Sequence, residues 1–231
     1  MRALVFLALA SLASANAFAV PIYWNTWASS SSGSLTAGAS SVGVTFSTTN
    51  YHANIANYPS WSPSSTFADG VLVDNGPAAA NGIMQLTGGA FAVNVLTFST
   101  PVVDPVLAIW SLGSPGIEAS FYFLPPPPGR GGFAGPPVFV AGGPSAEYGG
   151  SAITVSGLTV SGSEGNGTIR FIGTGTVSRI EWINPTYEDW YGFNVGIAGT
   201  GTPVPEPRQA LLFALGLVLL IGFRILARSP G

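Results

Sequence analysis

Runs of alternating apolar and polar residues recur from Val42 to Ile197. A period of two places every second side chain on one face, which suits strands and not helices. Val42-Gly-Val-Thr-Phe-Ser47 alternates, and Phe91 to Phe98 places Phe91, Val93 and Val95 on one face before the pattern blurs. Ile117, Ala119, Phe121 and Phe123 share a side. Ile153-Thr-Val-Ser and Leu158-Thr-Val-Ser read as a short pair around Gly157. Thr168 to Ile172, Val177 to Trp182 and Tyr191 to Ile197 continue the series. Val102 to Trp110 is apolar almost throughout, and Pro101 and Pro105 place an edge or a bulge early in it. The runs are rich in β-branched and aromatic residues and are broken by Gly, Ser, Asn and Pro. No amphipathic helix interrupts them. The expectation is an all-β chain: about nine to eleven short strands in a single β-sandwich, jelly-roll-like in arrangement.

Two stretches do not read as strands. Ser29 to Ser41 is rich in Ser, Gly and Ala. Pro125 to Pro137 holds four consecutive prolines and then a Gly-rich run, and reads as a long loop, with a partner-recognition motif as the alternative.

The two ends differ from the middle. Met1-Arg2 precedes an apolar run from Ala3 to Ala13 and a small-residue stretch, Ser14 to Ala19. This is the pattern of a signal peptide, residues 1–19, removed by signal peptidase after Ala17 or Ala19. At the other end Val204-Pro205-Glu206-Pro207-Arg208 precedes an apolar block, Ala210 to Phe223, followed by Arg224 and Arg228. If Arg224 snorkels, about residues 209–227 are long enough to cross a bilayer, and the trailing charges stop transfer on the cytoplasmic side. Between the ends lies one exported domain, residues 20–203, long enough for a sizeable core.

The order Pro205-Glu206-Pro207, apolar span, trailing arginines resembles the PEP-CTERM sorting signal of Gram-negative bacteria, over residues 204–231. Here the arginines are spaced, where the family's usual form is a tight cluster. The resemblance implies recognition by an exosortase, a membrane protease-transpeptidase that would cut near the tripeptide after a transient stay in the inner membrane. Glu164 to Gly173, Ile180 to Pro185, Glu188 to Gly196 and Phe98 to Gly113 are similar to strands of exported PEP-CTERM proteins, which implies a shared β-sandwich and no particular activity.

Composition limits the chemistry. Only 7% of the 231 residues are charged, with no Cys, no Lys and one His. Disulfides, Cys nucleophiles and Cys-based metal sites are excluded, and one His cannot build a His-based zinc site. The exported domain holds three arginines (Arg130, Arg170, Arg179) against nine acids, a net charge near −6. Such a domain does not seek nucleic acid or anionic membranes. His52, beside Tyr51, reads as a polar loop histidine, since no G-x-S-x-G elbow accompanies it. Glu181, Glu188 and Asp189 lie near Trp182, Trp190 and Tyr191. These acids read as solvated loop residues, with a sugar-binding set (Trp182, Glu188, Asp189, Trp190, Tyr191) or a glycosidase pair as alternatives. Asp69 and Asp74 read as turn residues, with a structural calcium as the alternative. Trp110 and Trp182 fall in apolar strands and belong to a core. Trp24, Trp27 and Trp61 are either edge packing or an exposed stacking platform. Asn166-Gly-Thr reads as a hairpin turn.

The sequence thus points to a non-catalytic exported protein without a cofactor, sorted to the cell surface or extracellular matrix, including a biofilm matrix. The alternative is a carbohydrate-binding or adhesive module, whose partner would be an extracellular polysaccharide.

Overall fold

The computed structural model describes residues 21–126, 133 and 135–198. Their strands begin with β1 (Tyr23–Trp24), β2 (Thr26–Trp27), β3 (Ser32–Ala37), β4 (Ser40–Ser47), β5 (His52–Ile55), β6 (Ile83–Leu86), β7 (Ala90–Val103) and β8 (Val106–Leu112). They continue with β9 (Ala119–Phe123), β10 (Val138–Gly142), β11 (Ser151–Ala152), β12 (Thr154–Ser156), β13 (Thr159–Gly162), β14 (Gly165–Arg170), β15 (Thr176–Asn184) and β16 (Tyr191–Ile197). One short helix, α1 (Ser64–Phe67), and a single 3-10 turn at Ala79–Asn81 lie between β5 and β6. Strand accounts for 54% of the described residues and helix for 4%. The chain is all-β, as the alternation requires. The strand number exceeds the expected one in part because β1, β2 and β11 are two residues long, too short to show a period.

The strands form two sheets. The first runs β10-β14-β8-β16-β6-β5, with β1 added on β16 and β11 on β14. The second runs β12-β13-β9-β15-β7-β4-β3-β2. Every pairing is antiparallel except β11 with β14. Pro101 lies where β7 loses register against β15, between the Val102–Val177 and Thr97–Arg179 pairs, so the proline marks a bulge as its missing N–H demands.

The sheets share one core. Phe193 of the first sheet meets Trp182, Phe46 and Trp27 of the second at ring-centroid distances of 5.1, 5.3 and 5.9 Å. Phe121 stacks on Trp182 at 5.6 Å and reaches Tyr191 across the layer at 5.5 Å. Phe133, the one described residue between 127 and 134, is buried against Phe123 and Phe171 and pins the long Pro-rich connection to the core.

The first sheet is covered on its other face as well. Residues 56–82 cross it and bring Trp61, Phe67 and Val73 into a second cluster with Val106, Ala108 and Trp110. All residues of β8, β14 and β16 are buried. Two-sided burial explains why β8 reads as a continuous apolar run and not as an alternation. The cover is held by hydrogen bonds to β14: Thr168 Oγ1 donates to the Phe67 carbonyl at 2.8 Å and Arg170 Nη1 to the Leu72 carbonyl at 2.6 Å.

Several sequence expectations need correction. Ser29 to Ser41 is not a loop: it contains β3 and the start of β4, joined through Gly38 at φ +62°. Beside the two-residue edge strand β2, β3 buries one side chain, Leu35, so the strand carries no visible apolar alternation. The face shared by Phe91 and Val93 is the outward one, with Phe91 79% exposed, while Asn94, Leu96 and Phe98 point to the core. Asn166 lies in β14 and is buried, so Asn166-Gly-Thr is a central strand and not a hairpin turn. His52 is not a loop residue: it opens β5, opposite Leu86 of β6, and packs edge-on to Phe46, 5.6 Å away. Ile117 lies before β9 and is exposed; the inward set of β9 starts at Ala119. The Ile153–Ser161 region does form the expected hairpin, β12 with β13, turning at Gly157 with φ +57°. The signal segment, residues 1–19, and the sorting segment, 204–231, lie outside the described residues.

Phe193 touches three aromatic rings of the facing sheet, so Phe193→Ala removes the central wedge. The expected cost is about 3–5 kcal/mol, read as a lowered urea midpoint; a loss under about 1 kcal/mol would mean that the sheets do not meet there.

Candidate functional site

One open cleft lies where four connections converge at the end of the first sheet. It measures about 380 Å³ and is lined by Ser111 and Ser114, Ile117, Tyr148, Glu164, and Tyr187 to Trp190. Ser111 is at the end of β8, Glu164 in the turn from β13 to β14, Tyr148 between β10 and β11, and residues 187–190 between β15 and β16.

The floor is built by Asn166. Its Oδ1 accepts the Ser111 amide at 2.8 Å, and its Nδ2 donates to the carbonyls of Glu164 and Gly149, each at 3.0 Å. One buried side chain thus fixes three of the converging segments. Ser111 and Glu164 both hold left-handed backbone, at φ +55° and +52°. Such conformations cost of order 1–3 kcal/mol each for residues with a Cβ. They bring the two side chains together: Ser111 Oγ donates to Glu164 Oε2 at 2.7 Å.

Glu188 enters from the opposite side. The Gly113 amide donates to its Oε2 at 2.8 Å. A Cβ on Gly113 would lie 2.2 Å from the Gly162 carbonyl oxygen, and its φ is +79°, so only glycine fits where the amide must point at this carboxyl. Glu188 is 8% exposed. Burial pushes its carboxyl up to about 8; the Gly113 bond opposes the rise, and Glu164 and Asp189 add to it. The neighbouring Tyr191 phenol is raised well above its ordinary value by burial and then by Glu188. Asp189 is exposed and accepts the Tyr187 hydroxyl, which raises that phenol too.

The aromatic wall is a mutual packing. Trp110 lies 4.8 Å from Trp190 and 4.9 Å from Tyr148, centroid to centroid. Trp110 is buried, Trp190 half-buried and Tyr148 57% exposed.

Three of the five residues expected to bind a sugar, Glu188, Asp189 and Trp190, line this cleft. Trp182 and Tyr191 do not. Trp182 is buried between the sheets, and Tyr191 is buried with its hydroxyl donating to the Thr87 carbonyl at 3.3 Å. Both alternate inward, because their strands present that face to the shared core. Glu188 is not a solvated loop acid: the turn that carries it folds back under Gly113. Glu181 stays away from the set and pairs with Arg179 on the second sheet. Trp24, Trp27 and Trp61 are buried, so none is an exposed platform. Asp69 forms a turn in which its Oδ1 accepts the amides of Val71, Leu72 and Val73 at 3.0, 2.8 and 2.9 Å. Asp74 is exposed. Among the described residues no three His, Cys, Asp or Glu side chains gather as metal ligands would.

Sequence reasoning did not single out Ser111, Tyr148 or Glu164 as site residues. For Glu164 a signal exists: it lies in Gly162-Ser-Glu-Gly165, a tight turn between strands, in a chain with few acids to spare. Tyr148 carries none. No family model, curated protein or solved structure matches the chain, and the site is therefore read from its own geometry.

Glu188 gives stability a defined pH dependence. Its folded value of about 8 exceeds the ordinary 4.5, so the folded state binds the proton more tightly than the unfolded chain. The stabilisation is full below pH 4.5 and is lost as pH rises towards 8. The slope contributed by this group is at most about 1.4 kcal/mol per pH unit. Unfolding by urea at pH 5 and pH 8.5 should show the wild type weakening more than Glu188→Gln; equal losses in both proteins would contradict the burial described for this carboxyl.

Proposed function

We propose that this chain is an exported, non-catalytic protein of the cell surface or extracellular matrix, delivered through a PEP-CTERM and exosortase route. The observation that carries this reading is the order of residues 204–231: Pro205-Glu206-Pro207, an apolar span, then Arg224 and Arg228. The signal-peptide pattern of residues 1–19 agrees with it. Signal peptidase and an exosortase would act on the chain, and the inner membrane would hold it between the two cuts. Among the described residues no helix is long and apolar enough to cross a membrane, so the anchoring segment would be the apolar block at about residues 209–227.

The domain between the ends is read as a β-sandwich with jelly-roll-like strand order. Two sheets facing each other over the Phe193–Trp182 contact support this. A charge-poor domain of this kind needs no catalytic residue to serve in a matrix. The second reading, a carbohydrate-binding module, is favoured by one specific feature: carboxyls and aromatic rings share a single open cleft.

Peptide mapping of the mature C-terminus in the native host tests the sorting reading. Chains ending near Pro205–Pro207 should appear only when the exosortase is present, and the protein should then leave the inner membrane. Replacing both Pro205 and Pro207 by Ala should abolish that end. Persistence of the intact Arg224-to-Gly231 tail in the inner membrane, with or without the enzyme, would reduce the segment to a plain anchor.

A further inference from the structure

We propose that the cleft between Glu164 and Glu188 binds one ring of a neutral saccharide, its apolar face against Trp190 and Tyr148 and two neighbouring hydroxyls on the two carboxyls. This deepens the carbohydrate-binding reading and is independent of how the protein is sorted.

Three observations carry it. The first is an incomplete hydrogen-bond set. Glu188 is more than nine-tenths buried and lines the cleft, yet only its Oε2 has a partner; Oε1 has none among the described residues. That free oxygen opens on the cleft, where a ligand hydroxyl could take the place of water as its partner. Glu164 is used in the same way, with Oε2 taken by Ser111 and Oε1 without a partner among the described residues. Two carboxyls that line one cleft are thus each held by one oxygen, which leaves the other oxygen of each without a partner among the described residues.

The second is the rigid aromatic wall. Trp190 and Tyr148 are each braced by Trp110, so a ring that stacks on them orders little. The third is size. A cleft of about 380 Å³ falls within the roughly 300–1,000 Å³ of small-ligand sites.

Charge selects among ligands. Glu164, Glu188 and Asp189 line the wall. Both described arginines are committed elsewhere, Arg170 to Asp104 and Arg179 to Glu181. Uronates, sulfates and phosphates would meet carboxyls with no compensating cation among the described residues. A metal ion lacks a ligand set among the described residues. The groups that face Glu188 are Glu164 and Asp189, which oppose its ionisation, the Gly113 amide, which favours it, and the uncharged Tyr191 phenol. At neutral pH Glu188 therefore offers an O–H as well as an acceptor, which matches a hydroxyl that both donates and accepts.

The test uses the exported protein isolated from its host, taken from whichever fraction holds it. Failure of sorting then leaves the binding measurement unaffected. Titration calorimetry at pH 7 would present cellohexaose, mannohexaose, xylohexaose and galactohexaose, with trigalacturonate and tetramethylammonium beside them. At least one neutral hexaose should bind with a Kd below about 1 mM. Tyr148→Ala and Glu164→Ala should each weaken that binding about tenfold or more, since both remove a ligand contact. Tyr148 is mostly exposed, so its replacement leaves the core intact. Glu188→Gln keeps a donor and an acceptor but cannot ionise, and it is read for the pH dependence of binding. Wild-type affinity should fall as pH rises through 8, and that of Glu188→Gln should not. Absence of binding by all four neutral hexaoses overturns the proposal, as does tighter binding of trigalacturonate. Binding of tetramethylammonium that strengthens as pH rises would make the cleft a cation site instead. Neutral binding unmoved by Tyr148→Ala would place the saccharide elsewhere.

Discussion

The central strands of the first sheet are covered on both faces, and most of the architecture follows from that. β8, β14 and β16 must be apolar or small at every position, which leaves no room for the ordinary division into a wet and a dry side. Their outer face needs a cover of its own. The chain supplies it as residues 56–82, a segment with almost no regular structure that contributes Trp61, Phe67 and Val73. Its backbone polar groups are then satisfied piecemeal, by Thr168, Arg170 and the Asp69 carboxylate. The second sheet carries no such burden, and its outward face keeps exposed residues such as Phe91 and Tyr122.

Few charges force a particular polar economy. Where other folds tie segments together with ion pairs, this one uses buried asparagines, which satisfy donors and acceptors without the desolvation cost of an ion. Asn194 joins β16 to the carbonyls of Asn25 and Gly82, at 3.0 and 2.9 Å. Asn94 and Asn184 bond to each other at 2.8 Å inside the second sheet, and Asn184 reaches the Ser120 carbonyl at 3.0 Å. Asn166 does the same under the cleft. Glu188 is the exception that defines the site: a buried acid with one amide for a partner and no cation, kept uncharged by its surroundings.

Much of this was legible in the sequence, and the illegible parts have physical causes. Trp110 and Trp182 announced themselves as core because they lie in apolar strand runs, Trp110 in a continuous one and Trp182 in an alternating one. The β12–β13 hairpin was visible because Gly157 separates two matching runs. The hairpin β3–β4 was not, since β3 buries a single side chain, Leu35, and its Ser and Gly residues mimic a linker. Burial of Glu188 was hidden for a different reason. It depends on the Gly113 amide, 75 residues away, and no local pattern encodes such a contact. Tyr148 and Glu164 join the cleft only because β14 lies beside β8 in space.

The location of the cleft follows from the same two-sided burial. A strand covered on both faces can offer functional groups only at its ends, where connections from several strands meet. β8 ends at Ser111 and Gly113, β14 begins beside Glu164, and β16 begins just after Trp190. The three doubly buried strands thus start or stop at one place, and Asn166 ties the end of β8 to the start of β14. Left-handed backbone at Ser111 and Glu164 is tolerated there because this lock over-determines both conformations. Rigid ends of rigid strands hold carboxyls and rings in fixed relation, and that preorganisation lets a domain with so few charged side chains present a shaped polar site.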